Sequence, residues 1–235
     1  MKIALIGYGK MGKILEIKAK ERNHTISKIL KNKKWTSQDL MESDMAIDFS
    51  SPDSALDNIY KAFKANVPIV VGTTGWNKDF DKVKNWCNEY NGAILPSSNF
   101  SLGVNIFFEM NKQLSKIMNR QKSYSAKIRE THHTEKVDSP SGTAITTAEI
   151  ILEEMDHYSN WVSNTSNYGN KLPIIAKRQA GVAGTHQVIY ESNIDELSIS
   201  HRAKNRDGFA IGAIIAAEFL YNKKGLFSMK DVVKF

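Results

Sequence analysis

A chain of 235 residues with 41% hydrophobic and 24% charged content can bury a core of one or two domains, and its make-up excludes a disordered or fibrous protein. Its net charge of +7 comes from lysines scattered along the length, often beside acids in helical patterns, which points to a solvated surface and away from a nucleic-acid-binding face. A single cysteine, Cys87, excludes an internal disulfide and a cysteine-rich metal site, and no run approaches the roughly 18 apolar residues of a membrane span.

The first element is a short apolar strand, Ile3–Ile6, with no charged-then-apolar leader ahead of it, so a cytoplasmic location is expected. Gly7-Tyr8-Gly9-Lys10-Met11-Gly12 follows and opens a helix running from Met11 to Arg22. In that context glycines let backbone N–H groups approach a pyrophosphate at a helix start, so Gly7 to Gly12 are candidate dinucleotide-binding residues; a tight turn alone would also need glycine. Thr25–Leu30 reads as the second strand. An acid at its end would hold the ribose hydroxyls of NAD, but the position is Lys31, followed by Asn32, Lys33 and Lys34, a set that suits the 2′-phosphate of NADPH or simply solvated lysines.

Met45–Phe49 is a third strand, Pro52 to Ala65 a helix, and Pro68–Val71 a fourth strand ending on Gly72-Thr73-Thr74-Gly75. That stretch lies where the nicotinamide half of a dinucleotide would sit, although a hydroxyl-capped turn explains it equally well. Asp79 to Tyr90 is a helix on the surface, in which Cys87 has a packing role, and Ala93–Pro96 is a fifth strand. It leads into Ser97-Ser98-Asn99-Phe100, which either borders the nicotinamide or is a domain hinge. Strands alternating with helices predict βαβ units, a parallel sheet and ligands beyond the strands' carboxyl ends.

After Asn99 the pattern changes. Leu102 to Met118 is one long helix and Ser125–Glu130 a strand. The stretch Glu130-Thr-His132-His133-Thr-Glu-Lys136-Val-Asp138-Ser-Pro-Ser141-Gly142-Thr143-Ala144 then leads into a helix ending near Met155. Two adjacent histidines in a strand point to opposite faces and no third ligand stands at a standard spacing, so no metal is expected. A lysine four residues from a histidine, beside a polar turn, suits proton transfer, with Lys136 as acid and His132 polarising or relaying. Ser141, Gly142 and Thr143 would present N–H groups and a hydroxyl to a carboxylate at the helix start.

The Asn-rich Tyr158–Asn170 reads as a loop. Ile174–Arg178, Thr185–Ser192 and Glu196–His201 alternate as antiparallel strands do, and Phe209 to Tyr221 is a buried helix. The fold class is therefore α/β: a Rossmann-type parallel sheet over residues 1–99 and 208–235, and a second α+β domain, built on a mixed sheet, over residues 100–207.

The Glu130–Ala144 segment resembles the signature of the dihydrodipicolinate reductase family, also called 4-hydroxy-tetrahydrodipicolinate reductases. Gly72–Gly75, Asn99–Asn105, Gly184-Thr-His186 and His201–Ala210 extend the resemblance over nearly the whole chain. It implies NADPH- or NADH-dependent reduction of a cyclic dicarboxylate, with loss of its 4-hydroxyl as water, in lysine (diaminopimelate) biosynthesis. It also implies His132 as the catalytic histidine, Lys136 as proton donor, His133, Gly142 and Thr143 as substrate contacts, and a homotetramer. Gly7 to Gly12, Gly72 to Thr74 and Ser97 to Phe100 would hold the coenzyme. The chain departs from the family pattern in a glycine loop one residue shorter, in Lys31 at the usual acid position, and in a short second domain. Two rivals remain: another NAD(P)-dependent reductase of a small carboxylate, and a dinucleotide-sensing regulatory protein without turnover, which would need no proton donor.

Overall fold

In a computed structural model, residues 1–32, 34–163 and 169–234 are described, and the chain divides into two compact units, Met1–Leu102 with Asp207–Phe235, and Gly103–Arg206. The first unit comprises β1 (Lys2–Ile6), α1 (Lys10–Glu21), β2 (Thr25–Leu30), β3 (Met45–Asp48), α2 (Pro52–Lys64), β4 (Ile69–Val71), α3 (Phe80–Glu89) and β5 (Ala93–Pro96). The second holds α4 (Leu102–Met118), β6 (Ser125–His132), α5 (Gly142–Glu154), β7 (Asn160–Ser163), β8 (Lys171–Arg178), β9 (Gly184–Glu191) and β10 (Glu196–Ala203), after which α6 (Asp207–Leu220), β11 (Gly225–Leu226) and α7 (Met229–Val233) complete the first.

The first unit's six strands run in the order β11-β5-β4-β3-β1-β2, every pair parallel. Strands β1, β3, β4 and β5 read as near-continuous apolar runs because both faces are covered, whereas the edge strand β2 is only partly buried. Ile3 and Leu5 pack with Met45, Ile47 and Leu95 against α1 and α6, through Leu15, Ala213 and Ala217. Ala4 and Ile6 pack on the opposite face with α2 and α3, through Ile59, Phe63 and Val83. Cys87 belongs to this second layer; it is buried, and burial pushes its thiol up. The strand and helix predictions for this unit hold to within two residues at their ends. The sequence reading missed β11 and α7, whose Ser228 and Asp231 form a reciprocal cap, and a one-turn helix at Ser37–Leu40 capped in the same way by Thr36 and Asp39.

The second unit is a mixed sheet ordered β10-β9-β6-β8-β7. Strand β9 is antiparallel to both β6 and β10, as the alternation predicts. Strand β8 instead runs parallel to β6: the chain leaves β6 through α5, re-enters the sheet at β7, and β7 and β8 run in the same direction. The expected loop at Tyr158–Asn170 contains β7, a short parallel edge strand; its residues 164–168 lie outside the described residues. Helices α4 and α5 pack on one face of this sheet, where Ile128, Ile174, Val188 and Tyr190 meet Phe107, Ala148 and Ile151.

Candidate active site

In the first unit the turn from β1 into α1 is fixed by backbone contact. Gly7 has φ +86°, and a Cβ there would lie 2.3 Å from the Phe49 carbonyl oxygen; a Cβ on Gly12 would lie 2.4 Å from the carbonyl oxygen of Gly7. The turn is therefore wedged between the end of β3 and the first turn of α1. Gly9, the residue before α1, is different: nothing lies within 4 Å of where its Cβ would be, and no side chain caps the helix. Open space over a side-chain-free helix start is what a pyrophosphate requires, so these residues fit a dinucleotide.

Gly7, Tyr8, Gly9 and Lys31 line one cavity of about 320 Å³, together with Asn32, Trp35, Ser50 and Asn58, which sequence reasoning did not single out. The Lys31 ammonium stands 5.0 Å from the centre of the Tyr8 ring, and the Tyr8 hydroxyl donates to Glu16. Lys33 lies outside the described residues, while Lys34 donates its N–H to the Asn32 side chain at 3.0 Å. Lys10, Met11 and Gly12 fall within α1.

A second cavity, of about 420 Å³, gathers Thr73, Thr74, Ser97 and Ser98 with Trp76 and Phe80. Thr73 is itself held inside the protein. Its hydroxyl donates to Asp48 at 3.1 Å and accepts the Ser50 N–H at 2.8 Å. Asp48 is fully buried at the end of β3, and burial pushes its carboxyl up despite the hydrogen bonds from Ser50, Asn58 and Thr73. Gly72 packs against the Phe49 ring. Asn99 accepts the Ser101 N–H, and Phe100 is buried in the core 5.9 Å from Phe49.

In the second unit β6 runs two residues past its predicted end, to His132. Its alternation turns Ala126, Ile128, Glu130 and His132 to the buried face. The register then sets Ala176, Glu130, His186 and His201 in one rung across four strands, with Arg178 opposite His132. The inner face thus changes from apolar to polar within one step of the pleat. Sequence reading ended the strand at Glu130 because a buried polar continuation has no hydrophobic signal.

Glu130 lies at the centre. Its oxygens accept the Ser141 N–H at 3.1 and 3.2 Å, and they stand 3.4 Å from His132 Nδ1 and 3.6 Å from both His186 Nε2 and Arg178 Nη1. Ser141 caps α5 by accepting the Ala144 N–H at 3.2 Å, and its Oγ lies 3.1 Å from His186 Nε2. The His132 and His186 rings meet edge to face, with centroids 4.9 Å apart. Burial, then the neighbouring His186, holds the His132 ring down to about 4, against the pull of Glu130. Burial alone would raise Glu130, but His186 beside it and the hydrogen bonds from Ser141 bring it to about 2. At neutral pH the pair is therefore a carboxylate beside a neutral imidazole.

Lys136 sits in the turn after β6, its N–H bonded to the His133 carbonyl at 3.2 Å and its ammonium held by both Asp138 oxygens at 2.7 and 2.8 Å. Arg178 donates to the carbonyls of Lys136 at 3.4 Å and Asp138 at 2.6 Å. His133 is half-buried, and Gly142 is exposed with nothing within 4 Å of a would-be Cβ. Thr143 lies in the first turn of α5 and its carbonyl accepts from Thr147.

The structure therefore links His132 with Ser141 through Glu130, and Lys136 to the same cluster through Arg178. The sequence spacing offered no third metal ligand, but the sheet brings one. Glu130, His132 and His186 offer three ligating atoms within 4.8 Å of one another among the described residues. The Arg178 guanidinium beside Glu130 already supplies a cation there, and its charge opposes a second one.

Family models described as dihydrodipicolinate reductase match both parts of the chain, the N-terminal model over residues 1–100 and the C-terminal model over residues 103–233. The chain is 48% identical over 235 residues to a 4-hydroxy-tetrahydrodipicolinate reductase of Christiangramia forsetii, covering 99% of this chain and 98% of that protein. A Methanopyrus kandleri protein of the same name is 35% identical over 198 residues, covering 82% and 72%. Among solved structures, a dipicolinate-bound dihydrodipicolinate reductase from Paenisporosarcina sp. TG-14 has the same fold, with a TM-score of 0.82 at 20% identity over 98% of each chain.

Proposed function

The chain belongs to the dihydrodipicolinate reductase family, and from that premise we propose how its residues divide the work of an NAD(P)H-dependent oxidoreductase. The reaction is reduction of 4-hydroxy-tetrahydrodipicolinate to tetrahydrodipicolinate, with loss of water, in lysine biosynthesis. Residues 1–99 and 208–235 form the dinucleotide-binding domain. Gly7 to Gly12 hold the pyrophosphate, Lys31 favours the 2′-phosphate of NADPH while leaving room for NADH, and Thr73, Thr74, Ser97 and Ser98 border the nicotinamide. Residues 100–207 bind substrate and build a homotetramer. This reading is supported by the sheet face turned away from α4 and α5, where Arg129, Ile175, Lys177 and Ser200 are exposed. Among the described residues no helix is long and apolar enough to cross a membrane, and a cytoplasmic enzyme is the reading we adopt.

The observation that carries the proposal is the chemistry gathered between β6 and α5. Loss of the 4-hydroxyl as water leaves a conjugated C=C–C=N system in the ring. The coenzyme, when bound, supplies hydride to C4, and the neighbouring ring carbon, the one between C4 and the C=N carbon, must then take a proton. The His132 ring, held down to about 4, carries no proton to give at neutral pH. Lys136 is the cation of the segment and serves as the acid, turning from Asp138 toward the ring. Neutral His132 orients and polarises the substrate, and the start of α5 with Ser141, Gly142, Thr143 and His133 grips its carboxylates.

Pyridine-2,6-dicarboxylate, a planar mimic of the substrate, tests this grip. Inhibition is expected to be competitive with the cyclic dicarboxylate, and about tenfold or more weaker for pyridine-2-carboxylate, since one set of charge-assisted hydrogen bonds is lost. Equal inhibition by the two compounds contradicts a site built for two carboxylates.

A further inference from the structure

We propose that Glu130 is the positioning residue of the proton-donating site, one buried carboxylate that fixes His132, the start of α5 and the loop carrying Lys136 in a single arrangement. The inference rests on the reading of His132, Lys136 and Ser141–Thr143 given above and adds to it a residue that touches neither substrate nor coenzyme.

The geometry carries the argument. Glu130 is 1% exposed, yet groups from four chain segments converge on it. From its own strand comes His132, at 3.4 Å. From the crossover comes the Ser141 N–H, bonded to both oxygens, so the carboxylate sets the residue that caps α5. From β9 comes His186, which stands 3.6 Å from Glu130 and 3.1 Å from the Ser141 hydroxyl. Arg178 extends the reach: its guanidinium lies 3.6 Å from Glu130 while its other N–H groups hold the carbonyls of Lys136 and Asp138. A buried carboxylate is costly unless its charge and lone pairs are all answered, and here each partner is a group of the site or its direct support.

A filler of the same shape would serve the packing equally well, so the charge is the feature to test. A carboxylate fixes the orientation of Arg178 and both imidazoles; an amide of the same size still accepts the Ser141 N–H but lacks the charge that draws the three together. The groups facing His132 are Glu130 on β6, Lys136 in the following turn, Arg178 on β8 and His186 on β9, with His201 of β10 behind His186. Of these only Glu130 draws a proton toward the ring.

The experiment compares wild type with Glu130→Gln and Glu130→Asp in full-length enzyme, reading kcat, KM for coenzyme and the His132 ring titration by NMR. For Glu130→Gln we expect kcat to fall about 10- to 100-fold, as for the partners that orient ligating residues, with coenzyme KM unchanged and the His132 titration moved below its wild-type position. Glu130→Asp keeps the charge and should restore the titration and part of kcat. If Glu130→Gln fails to fold, Glu130→Asp decides: a His132 titration near wild type with kcat reduced no more than several-fold supports the proposal, and a folded Glu130→Asp that keeps the titration but loses kcat about 100-fold or more overturns it. Glu130→Gln with kcat within twofold of wild type and an unmoved titration also overturns it. A wild-type enzyme that does not turn over the cyclic dicarboxylate refutes the functional reading instead, so the two failures are distinct.

Discussion

Replacing Lys136 by alanine is expected to lower kcat by about 10²- to 10⁴-fold, the range a positioned general acid supplies, while coenzyme affinity stays within about twofold. The two halves of this expectation have separate origins. Lys136 carries the segment's ammonium, whereas His132 is held neutral by its burial and by His186. The residues proposed to hold the coenzyme, Gly7 to Gly12 and Lys31, belong to the first unit of the fold, and Lys136 to the second. The substitution is also mild structurally. The ammonium is tied to Asp138, an exposed carboxylate, and the turn is held by backbone atoms that alanine keeps, namely the Lys136 N–H to His133 and the Lys136 carbonyl to Arg178. Turnover surviving within a few-fold would show that Lys136 is not the acid.

The second large effect is expected at the glycine turn, where two neighbouring substitutions should act differently. Gly7→Ala places a methyl 2.3 Å from the Phe49 carbonyl oxygen and 2.8 Å from the Ser50 Cα, at a backbone angle of +86°. These neighbours are main-chain atoms at the end of β3, so the turn must move. Strain of this kind costs on the order of 1–3 kcal/mol, and a displacement of about 1 Å in a positioning loop costs on the order of 100-fold. Both the Tm and the NADPH affinity should fall. Gly9→Ala, with φ −79° and nothing within 4 Å, should leave the Tm unchanged and still weaken NADPH, because its methyl occupies the space over the helix start. Fluorescence titration of NADPH with thermal melts of both variants separates the effects. Unaltered NADPH affinity in Gly9→Ala would remove the pyrophosphate from this turn.

Much of this architecture was legible in the sequence because its signals are local. The apolar runs at Ile3–Ile6 and Met45–Phe49, each ending at a turn and followed by an amphipathic stretch, carry the period change from strand to helix, and the first unit follows from them. Less legible was anything that depends on register. Glu130 reads as the end of a strand, and only pairing with β8 and β9 shows that it faces inward beside His186 and Arg178. His186 lies more than fifty residues from His132 in sequence, so no spacing rule joins them. The available signal was the alternation Ile128, Glu130, His132, which places a carboxylate on the same face as a core isoleucine. The direction of β8 was hidden for a related reason: alternation tells which face a side chain takes, while the direction depends on the route from β6 through α5 and β7. Strand β7 is four residues long and mostly half-buried, with only Trp161 and Val162 apolar, too short a run for a periodic signal.

The central claim is that one chain couples reduced coenzyme to a cyclic dicarboxylate through the proton of Lys136. Its most direct test is the wild-type enzyme with NADPH and 4-hydroxy-tetrahydrodipicolinate generated in place, because that substrate is unstable, followed by nicotinamide absorbance. The account predicts coenzyme oxidation that depends on the dicarboxylate, matches it mole for mole and does not occur with simple 2-oxo or 2-hydroxy acids. Coenzyme that binds but is not oxidised would contradict it and favour a dinucleotide sensor; oxidation by other small carboxylates alone would make the chain a different reductase.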